Sequence, residues 1–516
     1  MGCRSTIALG IMYMETYQKL LDITKSIIQF RTAMGIVQWD LRTYMPPRGL
    51  EQRSEQLALL RRIAHRMATD EQIENILNEL EKKKTSYDSL QQREIEQVRR
   101  SYERRSKVPE DLIAAEIKQK TITTSLWQKA KQSKQWSVFE PELEKLLLIS
   151  KQHAEIMMES VGSKTPYDAM LDIYEPRMTA EQLTKVFKDL RTSLVPLVKK
   201  YTSLCEDVRT NFMNRTVPVP IQKILVEDLV NQVGFDTKSN SAGGRIDEAE
   251  HPFTSAYYDD SRMTIHYFED DVFRAIFGAL HEAGHAIHGQ NHNPDWKWMA
   301  LGESCSSGFN ESQSRFVENI IGRSPEFWRF YHIRFNELTN KSFEDIPLEE
   351  LVRAINIVRP SKIRVMADEM TYALHIIVRF EIELDLFHDR ISVSEIPQSW
   401  NEKYEDYLGV EVEFDDEGAL QDTHWAWGYW GYFPSYALGN LYSAMIADRM
   451  ESDIPAWKND IAEGRISTVI NWLIEHVHQK SNLYDPSEMI EHITGKSLTA
   501  EPFLQYLERK YSSLYS

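Results

Sequence analysis

The stretch DDVFRAIFGALHEAGHAIHGQNH, Asp270 to His292, reads as one amphipathic helix. Phe273, Ile276, Phe277, Leu280, Ala283, Gly284 and Ile287 recur at three- and four-residue spacing. Glu269, Asp270 and Asp271 precede them, where negative charge suits a helix N-terminus, and Gly289 follows as a stop signal. His281 and His285 therefore share one face, one turn apart. At that spacing both imidazoles can reach one metal ion at about 2.0–2.1 Å. Glu282 is rotated by about 100° from His281, so it can face a water at the ion without ligating it. Gly278, Ala279 and Ala286 lie nearby, and small side chains there leave room for a substrate. This is the H-E-x-x-H pattern, in which the glutamate acts as general base.

Two histidines and a water leave one ligand to find. One class of zinc site continues H-E-x-x-H with x-x-G-x-x-H. Here the Gly and final His positions hold His288 and Asn291, and Gly289 and His292 come one place late. A one-residue slip turns a helical side chain by about 100°. His288 shares a face with His281 but lies about 10 Å along the axis, too far for one small ion. His288 and His292 are accordingly read as supporting or surface residues. The alternative is a glutamate on a following helix, completing His₂Glu. SSGFNESQSRFVENIIG, Ser306 to Gly322, supplies such a helix, with Glu311 off its apolar stripe. Glu303 and Glu318 compete with Glu311 for the role.

Upstream of the histidine helix the periodicity changes. In RIDEAEHPFTSAYYDDSRMTIHYFED, Arg245 to Asp270, Thr254, Ala256 and Tyr258 alternate, as do Arg262, Thr264, His266 and Phe268. Asp259 and Asp260 separate the two runs like a turn, so a small β-hairpin is expected beside the metal helix. Elsewhere the helical period dominates, as in Leu20, Leu21, Ile23, Ile27 and Ile28, or Leu143, Leu146 and Leu147. The expected fold class is mainly α: a large helical protein with a deep central groove between two lobes, floored by the metal helix and the hairpin. No linker rich in Gly, Pro or Ser interrupts residues 14–516, which are read as a single helical domain. Residues 1–13 are read as a disordered leader; Gly2, Cys3 and Thr6 also fit an acylation pattern.

The chain has 516 residues and a formal net charge of -18, which disfavours nucleic acid as a partner. No apolar run is long enough to cross a bilayer, so no membrane partner is expected. Three cysteines far apart, Cys3, Cys205 and Cys305, give no disulfide framework and suit the cytoplasm.

Taken together, several separated motifs resemble the carboxypeptidase Taq family of zinc- or cobalt-dependent metallocarboxypeptidases. WDLRTYMPP (Trp39 to Pro47) and PYDAMLDIYEP (Pro166 to Pro176) come first. HPF (His251 to Phe253), DSRMT (Asp260 to Thr264) and HEAGH follow. IRVMAD (Ile363 to Asp368), GALQDTHW (Gly418 to Trp425) and GYFPSYALGN (Gly431 to Asn440) complete the order. The family's third ligand is the glutamate of a His-Glu-Ser-Gln block, which here reads Asn310-Glu311-Ser312-Gln313. The resemblance thus implies His281, His285 and Glu311 as ligands of one divalent ion per subunit, zinc first and cobalt as the alternative. Asn310 stands where the family has histidine, which puts that residue's role in doubt.

A carboxypeptidase must recognise a free carboxylate, a task suited to a bidentate arginine. The resemblance implies Arg364, with Arg262 as runner-up. The oxyanion formed on attack needs donors besides the metal. His424 and Tyr436 are the candidates beside the general base Glu282, with Tyr432 a weaker one. Asp368 and Asp422 are expected to orient the metal-bound histidines. The resemblance further implies a homodimer, peptide substrates with a free C-terminus, and broad specificity with proline near the cleaved bond disfavoured. The rival readings are a dipeptidyl-carboxypeptidase or oligoendopeptidase, and an inactive peptide-binding homologue.

Overall fold

The computed structural model describes the backbone of residues 2–515 and the side chains of residues 15–515. The leader expected at residues 1–13, with its acylation pattern, lies outside the residues described in full. The described chain is helical from end to end, apart from one three-stranded sheet. No described helix is long and apolar enough to cross a membrane.

Two apolar cores underlie the two lobes. The smaller joins Tyr17 and Leu20 of the helix Gly2–Thr43 to Ile73, Leu77 and Leu80 of Glu71–Glu81 and to Ile95 and Val98 of Ser89–Ser106. These are the periodic apolar positions of amphipathic helices, and Ser89–Ser106 buries the charged Arg93 and Glu94 beside them. The larger core runs from about Val108 to the C-terminal helix Glu501–Tyr515 and holds the histidine helix, Val272–Gln290, near its centre. A groove of about 1900 Å³ lies between the lobes. Ile36 and Trp39 of the first helix line one wall, and Arg364, His424 and Tyr436 line the other.

The sheet forms part of the floor. β2 (Thr254–Tyr257) and β3 (Asp260–Ile265) pair antiparallel through Tyr257 and Asp260, which is the expected hairpin. Tyr258 takes the left-handed conformation that so short a turn requires, with φ 50°. His266 and Phe268, read as part of the second run, fall beyond the strand. The sheet also has a third strand, which the alternation of the hairpin does not mark. β1 (Gly244–Glu248) lies parallel to β3, giving the order β1-β3-β2. Asp247 of β1 accepts a hydrogen bond from Trp39 Nε1 at 3.0 Å and another from the Tyr44 hydroxyl, tying the first helix to the floor.

Candidate active site

His281 and His285 project from the histidine helix towards Glu311 of the helix Ser307–Arg315. Those two helices can meet so closely because Gly284 has no side chain. A Cβ there would lie 2.5 Å from the Gln313 carbonyl oxygen. Gly439, on the helix Phe433–Asp453, allows a second close approach: a Cβ there would lie 2.5 Å from Glu311 Cγ. Glu311 is thereby clamped from two sides with its carboxylate aimed at the imidazoles. Its Oε2 lies 3.8 Å from His281 Nε2 and 3.5 Å from His285 Nε2.

Among the described residues, these three form the group whose ligand atoms converge, all within 4.8 Å of one another. Two ligands on a tetrahedral ion stand about 3.4 Å apart when each bond is about 2.1 Å, so the arrangement fits a divalent metal of zinc type. The ionisation states fit as well. Burial pushes the Glu311 carboxyl up, but Arg315 and then His281 and His285 outweigh it and hold it at about 2. Arg315 Nε donates to Glu311 Oε1 at 2.8 Å, leaving Oε2 for the ion.

The carboxylate that orients His281 is Glu318, 3.0 Å from Nδ1, so the proton sits on Nδ1 and Nε2 is left for metal. Glu318 stands in the π-helical turn Phe316–Ile321 that continues the glutamate helix. It accepts further bonds from Arg315 and Arg323, each at 3.2 Å. The sequence offers Glu318 only as a competing ligand. Its seven-residue spacing from Glu311, two turns on one face, was the available signal. Asp368 and Asp422 do not fill the orienting role expected of them. Asp368 accepts from the backbone amides of Arg359, Met370 and Thr371, closing a loop. Asp422 is held between two arginines.

Glu282 is buried in the groove floor, and Thr254 Oγ1 of β2 donates to its Oε2 at 2.5 Å. The hairpin thus fixes the rotamer of Glu282. Glu303, the remaining competitor for a metal ligand, pairs with Arg31 at 2.6 Å across the groove. His288 and His292 are buried, not at the surface, and their ring nitrogens bond to Asn310 Oδ1 and the Gly302 carbonyl, both at 3.1 Å.

At the other end of the groove, Arg364 donates from Nε and Nη2 to Asp422 Oδ1, at 3.1 and 2.7 Å. Its Nη1 donates to the Tyr372 hydroxyl at 3.0 Å. A guanidinium has five N–H donors. One N–H on each terminal nitrogen has no partner among the described residues, and Arg364 lines the groove. Arg379, fully buried, holds the other oxygen of Asp422 from Nε at 2.7 Å. Nothing in the spacing of Arg379 or Tyr372 marks either from the sequence. Arg262 pairs with Asp260 through Nε and Nη2, at 2.6 and 2.9 Å, and that one exposed carboxylate balances its charge, so no net positive charge is left there as there is beside Arg364.

His424 Nε2 lies 3.3 Å from the Tyr436 hydroxyl, and the Tyr432 ring stacks on His424 at 5.6 Å. Burial, opposed by Asp422 and reinforced by Arg364 and Arg379, lowers His424 to about 3, so it is neutral at neutral pH. Burial also raises the Tyr436 hydroxyl far above its ordinary value, so it keeps its proton.

A two-histidine, one-glutamate cluster with a buried carboxylate beside it, facing an arginine with a free edge, suits hydrolysis of a peptide near its C-terminus. Comparison with known proteins agrees. The family model described as Carboxypeptidase Taq (M32) metallopeptidase matches residues 19–511. The chain is 38% identical to carboxypeptidase 1 of Bacillus subtilis over 510 residues, covering 98% of this chain and 100% of that one. It is 35% identical to thermostable carboxypeptidase 1 of Thermus thermophilus, covering 97% and 99%. Among solved structures, the carboxypeptidase of Deinococcus radiodurans superposes with a TM-score of 0.92 at 32% identity, covering 97% and 99%. Metallocarboxypeptidase 1 of Trypanosoma cruzi superposes with a TM-score of 0.92 at 30% identity, covering 96% and 99%. The chain therefore belongs to the carboxypeptidase Taq family of metallopeptidases.

Proposed function

We propose that this metallocarboxypeptidase releases one C-terminal residue per cycle, with Arg364 as the anchor for the substrate carboxylate. The observation that carries the reading is the charge balance at that end of the groove. Arg364, Asp422 and Arg379 form a buried triad with one uncompensated positive charge, and its open edge is a two-donor fork matched to a carboxylate. Burying a carboxylate there completes four charges to neutrality, which offsets its desolvation.

His281, His285 and Glu311 would hold the divalent ion, zinc in the first instance and cobalt as the alternative. When bound, the ion supplies Lewis-acid polarisation of the scissile carbonyl and acidifies a water. Glu282 takes the proton of the attacking water on the oxygen that Thr254 leaves free, then delivers it to the leaving amine. Tyr436 donates its hydroxyl proton to the developing oxyanion. The neutral His424 donates from Nε2 to the same hydroxyl oxygen, turning its hydrogen towards the substrate. Tyr432 holds the His424 ring by stacking. Arg262 stays a strand-end ion pair.

Broad specificity with proline disfavoured, and assembly as a homodimer, rest on the family resemblance. A cytoplasmic location is supported by two buried free thiols, Cys205 and Cys305. The test is to digest one peptide with a free C-terminus and weigh the products, first with a chelator and then with zinc or cobalt restored. A ladder of single C-terminal losses that needs the metal supports the proposal. Internal cuts or paired losses would replace it with an endopeptidase or dipeptidyl-carboxypeptidase, and no cleavage with any metal would leave an inactive peptide binder.

A further inference from the structure

The histidine helix runs on past its ligands to His288 and His292, which the chemistry above leaves unused. Both are buried, as is His478, which packs on His288 with ring centroids 5.1 Å apart. His288 and His292 meet edge to face at 4.7 Å. Burial holds His288 well below its ordinary value, His292 at about 4 and His478 at about 3. All three are neutral imidazoles at neutral pH, each with one N–H. His288 Nδ1 lies 3.1 Å from Asn310 Oδ1, and an amide oxygen can only accept, so Nδ1 carries the hydrogen. This bond fixes the side-chain amide of Asn310. Its oxygen is turned to His288. Its Nδ2, with two N–H donors and no partner among the described residues, is left to the groove that Asn310 lines.

The place of Asn310 along the groove follows from contacts. Arg364 touches Tyr372, Tyr372 lies under Arg315 at 4.2 Å, and Arg315 meets Glu318, the partner of His281. The carboxylate anchor is therefore at the His281 end. His288 stands seven residues further on, about 10 Å along the helix. Asn310 thus faces Arg364 from across the three ligands. A peptide with its carboxylate at Arg364 and its cleaved bond at the ligands brings its amino-terminal part to Asn310.

We infer that Asn310 is a substrate-binding residue, whose Nδ2 donates to the carbonyl oxygen preceding the scissile carbonyl, with His288 holding the amide in that orientation. The inference rests on the carboxypeptidase reading. It assigns the substrate class as acylated dipeptides and longer peptides, which carry that upstream carbonyl. An amide donor also keeps its hydrogens at every pH at which the enzyme works.

Two variants test it on an acylated dipeptide with a free C-terminus. Asn310→Asp keeps the shape and the acceptor facing His288 but replaces the donor with an acceptor. Asn310→Ala removes both. Each is expected to lower kcat/KM about tenfold, mostly through KM, the effect of one hydrogen bond to an uncharged group. Metal content by elemental analysis is expected to match the parent enzyme. Unchanged kcat/KM in the Asp variant would overturn the inference. So would a loss that tracks loss of metal, because Asn310 would then support Glu311 and not the substrate. Weighing the products that the unaltered enzyme forms from a longer peptide with a free C-terminus separates this outcome from failure of the carboxypeptidase reading. Internal fragments from the unaltered enzyme would refute the carboxypeptidase reading, while the ratio of variant to parent rates still reports on Asn310.

Discussion

Glu311 at the metal end of the groove and Arg364 at the anchor end are both buried charges with one edge held by a counter-ion and the other open. Glu311 gives Oε1 to Arg315 and keeps Oε2 for the imidazole side; Arg364 gives Nε and Nη2 to Asp422 and keeps its outer edge for the groove. An isolated buried charge would be costly, so each needs its partner. Each partner is also placed so that the functional edge stays free. The ends differ in sign. At the metal end Glu311 and Glu318 balance Arg315 and Arg323, which leaves the proposed base Glu282 as the carboxylate without a cationic partner among the described residues to face an added divalent ion. At the anchor end two arginines face one aspartate, so an added carboxylate is neutralised. The ends differ equally in construction. The metal end comes from two short helical runs with partners three, four and seven residues apart, whereas the anchor joins residues 364, 379 and 422 from three separate segments.

The comparison can be broken most severely at the metal end. Glu311→Ala removes a ligand and takes from His285 its carboxylate partner, while Arg315 and His281 keep Glu318. Metal is expected to be lost and activity to fall below detection, checked by elemental analysis beside the peptide assay. Full metal content in that variant would point back to Glu318, His288 or His292 as ligand. Glu282→Gln separates chemistry from binding: the metal stays, and kcat falls by about 10² to 10⁴, the usual contribution of a general base. Near-normal turnover there would remove Glu282 from the mechanism.

At the anchor end, Arg364→Met leaves Asp422 neutralised by Arg379, so folding survives and metal content is unchanged. The expected loss in kcat/KM is about 10²- to 10³-fold, carried mainly by KM, because a charge-assisted fork is removed from a desolvated site. A variant that loses metal instead would show that the two ends are not independent. Glu318→Gln is milder. It weakens the hold on His281 Nδ1 and is expected to lower metal affinity about 10- to 100-fold, read by competition with a chelator. An unchanged affinity would demote Glu318 to a scaffold ion pair.

The smallest effect is a pH dependence of the metal-free protein. Burial lowers His281, but Glu311 and the hydrogen bond to Glu318 outweigh it and raise it above its ordinary value of 6.5. A group raised on folding stabilises the folded state fully below its unfolded value and loses that contribution as pH rises through the folded one. The metal-free enzyme is therefore expected to show a falling Tm as pH climbs above about 6.5. Metal, which needs the neutral imidazole, is expected to bind more tightly over the same range. A metal-free Tm flat across that interval would count against the raised value.

The sequence by itself determined the helical class and the hairpin ahead of the histidine helix, and it singles out His281 and His285 as the proposed ligand pair and Glu282 as the proposed base. All of these follow from periodicity within one element, where neighbours in space are three, four or two residues apart in the chain. Motif resemblance added Glu311 and Arg364. Only the tertiary structure decided that Glu318 and not Asp368 or Asp422 orients His281, that Asp422 and Arg379 frame Arg364, and that β1 completes the sheet. It also decided how close the helices approach, through the missing side chains of Gly284 and Gly439. Those features depend on which charges share a buried volume and how near two backbones come. Both are set by packing between distant segments, and local spacing carries no record of either.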